Sequence, residues 1–380
     1  MDTSKRQWLK MTMATGLLAG ALPRWADAAP AGAKPVVVVG QSVPLTGSAS
    51  EIGLAYAGGA KLYFDAFNQR ADSPARIELR QLDDGYNAQR ATANAKKLLG
   101  DGADLLFGFV GTASSAAGAA VAKQQGAVFL APFAAPDSLR DASQGHVFLV
   151  RPSMADEAFK MVQHCATLGL TRIAVLGEDD AMGRAGLEAV QRAVTELKLP
   201  PLAASAFVPS NSSGSQVDAA VATIKAAQPQ AIIQAALFQS TAAFIQKMRQ
   251  AGYAGTFLNF SAVGINPLYT ALGNDIGGVV VAQVVPPPRG LSVPVVREYT
   301  AAIENSDESP SYESLEGFIA AKTLGEALRR GGRGPELQKT LTAMRPYDVG
   351  GLRLHLRARP RETPASIDLV SITADGRTIR

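Results

Sequence analysis

The chain has 380 residues, of which 18% are charged, 47% hydrophobic and only 6% aromatic. This balance excludes a disordered chain, and no apolar run reaches the roughly 20 residues of a membrane span. The formal net charge of +4 comes without a dense basic cluster, which leaves no ground for a nucleic-acid partner. A single cysteine, Cys165, excludes an internal disulfide and a Cys-based zinc cage, and His146, His164 and His355 show no metal-ligand spacing.

Residues 1–28 read as an export signal. Lys5, Arg6 and Lys10 give a basic start, Met11 to Leu22 an apolar stretch, and Ala26-Asp27-Ala28 an A-x-A site predicting cleavage before Ala29. Ser4-Lys5-Arg6-Gln7-Trp8-Leu9-Lys10 is a variant of the twin-arginine consensus, with Lys for the first Arg, so twin-arginine and general secretion both stay open. Removing this segment takes four basic and two acidic side chains and leaves a net charge of +2. The expected location is the periplasm.

From Pro35 the pattern alternates strand and helix. Val36 to Val39 is a β-branched run, as expected of a strand buried on both faces of a parallel sheet. A helix is predicted over 53–68, where Tyr56, Ala60, Tyr63, Phe64 and Phe67 share one face. Strands over 77–82, 104–109 and 127–131 alternate with helices over 88–99, capped by Asn87, and 112–125. The rhythm restarts after Arg151: helices over 155–168, 183–197, 215–227 and 238–251, with strands over 171–176, 202–207, 230–236 and 256–259. A mostly helical stretch follows Pro286-Pro287-Pro288 (293–304, 312–330, 335–344), and two strand-like segments lie near 351–357 and 366–373. Alternating βα units with short connections predict an α/β fold of parallel sheets covered by helices on both faces.

In such folds a ligand sits beyond the carboxyl ends of the strands. The loops there carry no G-x-G-x-x-G, no P-loop, no G-x-S-x-G and no H-E-x-x-H, so no cofactor, metal or catalytic constellation is predicted. Gly108-Phe109-Val110-Gly111-Thr112-Ala113-Ser114-Ser115 offers a glycine turn and hydroxyls at a helix start, where free N–H groups attract an anion. Plain N-capping by these hydroxyls would give the same sequence. Glu178-Asp179-Asp180 reads as a solvated acidic loop, Asp83-Asp84-Gly85 as turn chemistry and Cys165 as packing.

Several segments, in their order and spacing, resemble one family. They are V-V-V-V-G-Q-S-V-P-L-T-G (36–47), G-A-K-L-Y-F-D-A-F-N (59–68), A-V-F-L-A-P-F-A-A-P (127–136), R-I-A-V-L-G-E-D-D-A-M-G-R-A-G-L (172–187) and P-S-Y-E-S-L-E-G-F-I-A-A-K (310–322). The chain is similar over about 35–375 to the type I periplasmic solute-binding proteins of ABC importers, in the Leu/Ile/Val-binding-protein branch. The resemblance implies two Rossmann-like lobes joined by three crossovers: 35–151 with about 285–348, and 152–284 with about 349–380. It further implies a monomer that is not an enzyme, and whose partners are a small-molecule carboxylate and an inner-membrane ABC permease. A ligand sensor of the same fold, signalling to a receptor, is the alternative.

The resemblance also assigns ligand-binding positions. Gly111 and Thr112 take the carboxylate, and the carbonyl of Phe133 takes an amino group. Ala135 stands where the family has a second hydroxyl, Met182 where it has a tyrosine, Leu237 or Phe238 where it has another, and Ile52 where it has a tryptophan. Ser261 replaces the acid that pairs with the ligand ammonium; Glu178 or Asp179 could substitute for that charge if their loop reaches the cleft. These departures imply a carboxylate with an apolar or aromatic body, within walls of Ile52, Phe133, Met182 and Phe238, and not necessarily an amino acid.

Overall fold

The computed structural model describes residues 34–133, 136–304, 306–344, 346–357, 359 and 366–379. The export signal and Ala135 lie outside the described residues. From Pro35 onward the chain forms one compact unit built on two main sheets.

The first sheet is entirely parallel. Its strands are β1 (Val36–Val43), β2 (Arg76–Asp83), β3 (Leu105–Phe107), β4 (Val128–Leu130) and β5 (Val147–Phe148), in the order β2-β1-β3-β4-β5. The intervening helices are α1 (Ser50–Gln69), α2 (Ala88–Gly100) and α3 (Thr112–Gln125). Both faces of the central strands are buried, and the strand period of two divides them: Leu105 and Phe107 join the core containing Tyr56, Phe64 and Phe67 of α1. Leu106 points the other way, into a core with Ala91, Leu98 and Val121 of α2 and α3.

The second sheet repeats the plan. After α4 (Met154–Thr167) come β6 (Ile173–Glu178), α5 (Ala181–Glu196), β7 (Ala204–Val208), α6 (Asp218–Ala226), β8 (Ala231–Ala235), α7 (Phe238–Gln250), β9 (Thr256–Asn259), α8 (Ile265–Leu272) and β10 (Val280–Gln283). Strands β7-β6-β8-β9-β10 are parallel and have the same 2-1-3-4-5 order as the first sheet. The chain then returns to the first lobe through α9 (Pro294–Ile303), α10 (Tyr312–Arg329) and α11 (Glu336–Ala343). Helix α10 lies against α1 so closely that a Cβ on Gly59 would fall 1.8 Å from the Ser314 carbonyl oxygen, and one on Gly317 2.0 Å from that of Tyr56. Only glycine permits this backbone approach.

Strands β11 (Tyr347–Asp348) and β12 (Arg353–Leu354) form a small antiparallel pair. The strand-like 351–357 segment therefore joins neither main sheet. A third passage leads to β13 (Asp368–Ile372) and β14 (Thr378–Ile379), which extend the second sheet antiparallel beyond β10. The chain thus crosses between lobes after β5, after β10 and before β13.

Candidate functional site

In each sheet the strand order reverses at one place, between β1 and β3 and between β6 and β8. Loops leaving such a reversal diverge to opposite faces and open a crevice. Here both crevices contribute to one cleft. It is lined by Ala49, Ile52, Val110, Gly111 and Thr112 from the loops and helix starts after β1 and β3, and by Met182 and Leu237 from those after β6 and β8. Tyr86, Phe133, Arg151, Met154, Glu157, Phe260 and Ala262 complete it. The enclosed space is narrow, about 30 Å³, and its walls are almost wholly apolar surface.

One end of the cleft is built from backbone. Gly111 is the N-cap of α3, with φ +101°, and no side chain caps the helix. Thr112 is therefore the first helical residue, and its hydroxyl makes no bond to the helix start. Among the described residues no side chain caps the N–H groups of the first turn, and the hydroxyl beside them is a further donor. A Cβ on Gly111 would lie 2.5 Å from the Tyr86 ring, so glycine is needed both for the turn and for that ring's seat.

Tyr86 itself adopts φ +64°, rare for a bulky residue and worth notice at a cleft wall. The acidic turn before it explains how this backbone is held. Buried Asp84 accepts from the Tyr86 N–H at 2.9 Å and from the Ser42 hydroxyl at 2.7 Å. Asp83 accepts from the backbone of Leu45 (2.9 Å), Thr46 (3.2 Å) and Gly85 (2.9 Å) and from the Thr46 hydroxyl (2.7 Å). Burial raises the Asp83 pKa, but these hydrogen bonds outweigh it and hold the carboxyl well below the usual range. The pair locks the loop that carries the cleft wall from Leu45 to Ile52. The Tyr86 hydroxyl finds no hydrogen-bond partner among the described residues. Burial, then the nearby Asp180 and Glu178 charges, keep it protonated.

The other end is built from side chains. Arg151 follows β5 at the first crossover and is 5% exposed. Its guanidinium stacks 4.3 Å from the Phe133 ring centroid and donates through Nη2 to the Ser261 hydroxyl. It faces Glu157 at 3.7 Å and Glu316 of α10 at 3.4 Å. Glu157, in the first turn of α4, accepts the Ser261 N–H at 2.8 Å on one oxygen and the Ser261 hydroxyl at 3.0 Å on the other. Burial raises the carboxyl of Glu157, and Arg151 partly offsets it. Glu316 is pushed up to about 7 by burial, against the pull of Arg151 and with repulsion from Glu157 and Glu313.

Of the sequence-predicted residues, the structure gathers Ile52, Gly111, Thr112, Phe133 and Met182 in this cleft. Phe238 does not line it. Leu237, the N-cap of α7, holds that place because the helix turns the next residue away. Ser261 sits behind the wall as the joint between Arg151 and Glu157. The Phe133 carbonyl already accepts the Gly111 N–H at 3.2 Å, so a ligand amine would have to share it. Glu178 is not the solvated acid its loop suggested. It is 0% exposed and accepts from Ser240 at 2.5 Å and the Asn211 N–H at 2.9 Å, outside the cleft lining. Asp179 turns to solvent with Arg184, and Asp180 caps α5 through the Gly183 N–H. The acid of the cleft is Glu157. Sequence reading missed it together with Arg151, Tyr86 and Met154. A charged residue ending the apolar run Val147-Phe148-Leu149-Val150 was the available signal for Arg151. Cys165 is buried packing, with burial pushing its thiol up to about 12.

Residues 36–377 match the family model described as periplasmic binding protein. Among solved structures, a possible leucine/isoleucine/valine-binding protein from Rhodopirellula baltica SH 1 superposes with a TM-score of 0.84 at 27% identity, covering 93% of this chain and 98% of that one. A substrate-binding periplasmic protein from Ralstonia solanacearum gives 0.82 at 31% identity, covering 90% and 99%. A fatty acid ABC transporter substrate-binding protein from Thermomonospora curvata gives 0.79 at 17% identity, covering 91% and 92%, a likeness of fold alone. No curated protein matches the sequence.

Proposed function

Because this chain belongs to the periplasmic binding protein family, we propose that it is the substrate-binding component of an ABC importer, capturing a small carboxylate between its lobes and delivering it to a membrane permease. The lobes of this reading are 35–151 with about 285–348, and 152–284 with about 349–380. The protein is exported by its first 28 residues and acts as a monomer. Binding stabilises the closed arrangement of the lobes, the permease recognises that arrangement, and the ligand leaves unaltered.

The uncapped start of α3 is the observation that carries the proposal. The start of α3 and the Thr112 hydroxyl lie on a cleft whose walls are mostly apolar. An anion there would meet N–H groups that no side chain caps among the described residues, and would gain from the helix dipole. Apolar walls of Ile52, Phe133, Met154, Met182, Leu237 and Phe260 suit a hydrocarbon body.

Isothermal titration of the purified mature chain with short aliphatic and aromatic acids, and with branched amino acids, tests the proposal. Carboxylates are expected to bind and the corresponding primary amides are not. Equal binding of acid and amide overturns the carboxylate reading. A cleft that takes only branched amino acids overturns the apolar-acid part of it.

A further inference from the structure

Arg151 stands on the passage from the first sheet to the second, and its contacts show which side it belongs to. Its guanidinium stacks on Phe133, which follows β4, and its carbonyl accepts from Arg140 Nη2 at 2.5 Å, beyond the same strand. Glu316 of α10 faces it at 3.4 Å, and α10 packs on α1 of the first sheet. These contacts tie Arg151 to the first lobe.

The second lobe meets it with a ready acceptor. Ser261 follows β9, and Glu157 of α4 holds both its N–H and its hydroxyl, at 2.8 and 3.0 Å. Helix α4 in turn packs on α5 of the second sheet. Arg151 donates through Nη2 to the Ser261 hydroxyl oxygen, a buried hydrogen bond from one lobe to the other. Arg192 of α5 and Asp137, beyond β4, also pair across the lobes at 2.7 Å, but that pair reaches solvent and contributes little.

Holding Ser261 keeps Arg151 from a stronger partner. Arg151 Nε and Glu316 Oε1 are both buried, and neither has a hydrogen-bond partner among the described residues. They face each other at 3.4 Å, longer than an N–H···O hydrogen bond. An approach of about 0.5 Å would join them in a charge-assisted bond and satisfy both groups at once. The guanidinium is a rigid plane, so one anchored at Nη2 by Ser261 and on its face by Phe133 is not free to settle on Glu316. Withdrawal of Ser261 releases it.

The other groups around Arg151 offer it no alternative. Glu157, at 3.7 Å, is joined to Ser261 and moves with it. Glu313, one turn before Glu316 on α10, makes no ion pair with Arg151 among the described residues. Arg140 is itself a cation, and the Tyr56 hydroxyl is bonded to the Ala131 carbonyl at 2.7 Å.

We infer that Arg151 is a two-position latch between the lobes. With the lobes closed its Nη2 holds Ser261, with them open its Nε closes on Glu316, and the competition between these two acceptors sets how readily the cleft opens. This rests on the two-lobed reading above and adds to it a switch that belongs to the protein rather than to the ligand.

Small-angle X-ray scattering tests it on the mature chain, dialysed in guanidinium chloride and refolded to remove any co-purified ligand. The radius of gyration reads the opening. Ser261→Ala removes the closed-state acceptor, and Glu316→Gln weakens the open-state one. Ser261→Ala is expected to show the larger radius, by more than the scatter between replicate samples, wherever the wild type falls between the two. Equal radii or the reverse order overturn the latch. If alanine does not give native circular dichroism, Ser261→Cys replaces it, nearly isosteric and with only a weak sulfur acceptor.

Ala262→Trp supplies an open reference, because an indole exceeds the enclosed space of about 30 Å³ that Ala262 helps to line. A tryptophan variant wider than the radius calculated from this structure, with the other two variants alike, overturns the latch and leaves the two-lobed reading standing. A tryptophan variant that matches the calculated radius overturns both.

Discussion

The two ends of the cleft are made differently. The Thr112 end uses one strand, one turn and one helix start, contiguous in sequence, and its donors are mostly backbone. The Arg151 end draws Phe133, Arg151, Glu157, Ser261 and Glu316 from five separate segments and uses side chains throughout. A backbone site needs only a glycine and a helix to exist. A side-chain site in low dielectric needs every partner in place, because a buried charge left alone costs far more than the pair gains. The first end should therefore tolerate mutation with loss of binding alone, whereas the second should couple binding to folding.

Arg151→Met breaks this comparison most forcefully. It leaves Glu157, Glu313 and Glu316 buried without their cation, and unfolding in urea should show a loss of about 3–5 kcal/mol at neutral pH. A stability change under about 1 kcal/mol would mean that the charges around Arg151 are not the buried cluster described. Thr112→Val should act on the opposite end without touching the fold. The hydroxyl caps nothing, so the ligand-free melting temperature stays within a degree or two. Carboxylate binding weakens by roughly 1–3 kcal/mol through loss of one donor to a buried anion. Unchanged affinity in calorimetry would make Thr112 a bystander.

Glu316 sharpens the contrast through pH. Burial raises its carboxyl from the ordinary 4.5 to about 7, so the folded chain holds this proton more tightly than the unfolded one. Stability from this group is fully present below about pH 4.5, falls as pH rises towards 7, and is level above that. Glu157 and Glu313 are also raised and act in the same sense. Glu316→Gln, compared with wild type in melts from pH 5 to 8, should flatten the curve by about 1–3 kcal/mol. Parallel curves would refute the shift. The smallest effect belongs to the solvent side of the acidic loop. Asp179→Asn removes only an exposed pair with Arg184 and should change unfolding free energy by less than about 1 kcal/mol. A larger loss would show that this loop, and not Glu157, carries the charge that matters.

Much of the fold was legible. The β-branched and apolar runs that became β1, β6 and β8 are buried on both faces except at the start of β1, and a continuous apolar run is what a parallel strand between two helix layers requires. Asn87 caps α2 as read, with its side chain accepting from the Gln89 and Arg90 N–H groups. Elements too short or too broken for a period to show were not legible. Strand β5 has two residues, and α8 carries Pro267 in its first turn.

The candidate site divides along the same line as its two ends. The glycine turn and hydroxyls at 108–115 marked the first end, though position alone left a capping hydroxyl as good a reading. The structure separates the two, since Gly111 occupies the cap and Thr112 follows it. The sequence offers Glu178 or Asp179, at a strand end, as the acid of the second end. The Glu178 side chain instead turns under Ser240 and the Asn211 backbone, while Glu157, in the first turn of α4, lines the cleft.

The sequence by itself determined the alternation of strands and helices, the two runs of it, and a glycine turn followed by hydroxyls at a helix start, because each depends on neighbours in the chain. The tertiary structure alone decided which charges meet. Residues 151, 157, 261 and 316 come together only when both sheets are formed and α10 has packed back on α1, and no local pattern records a contact that two separately folded layers create.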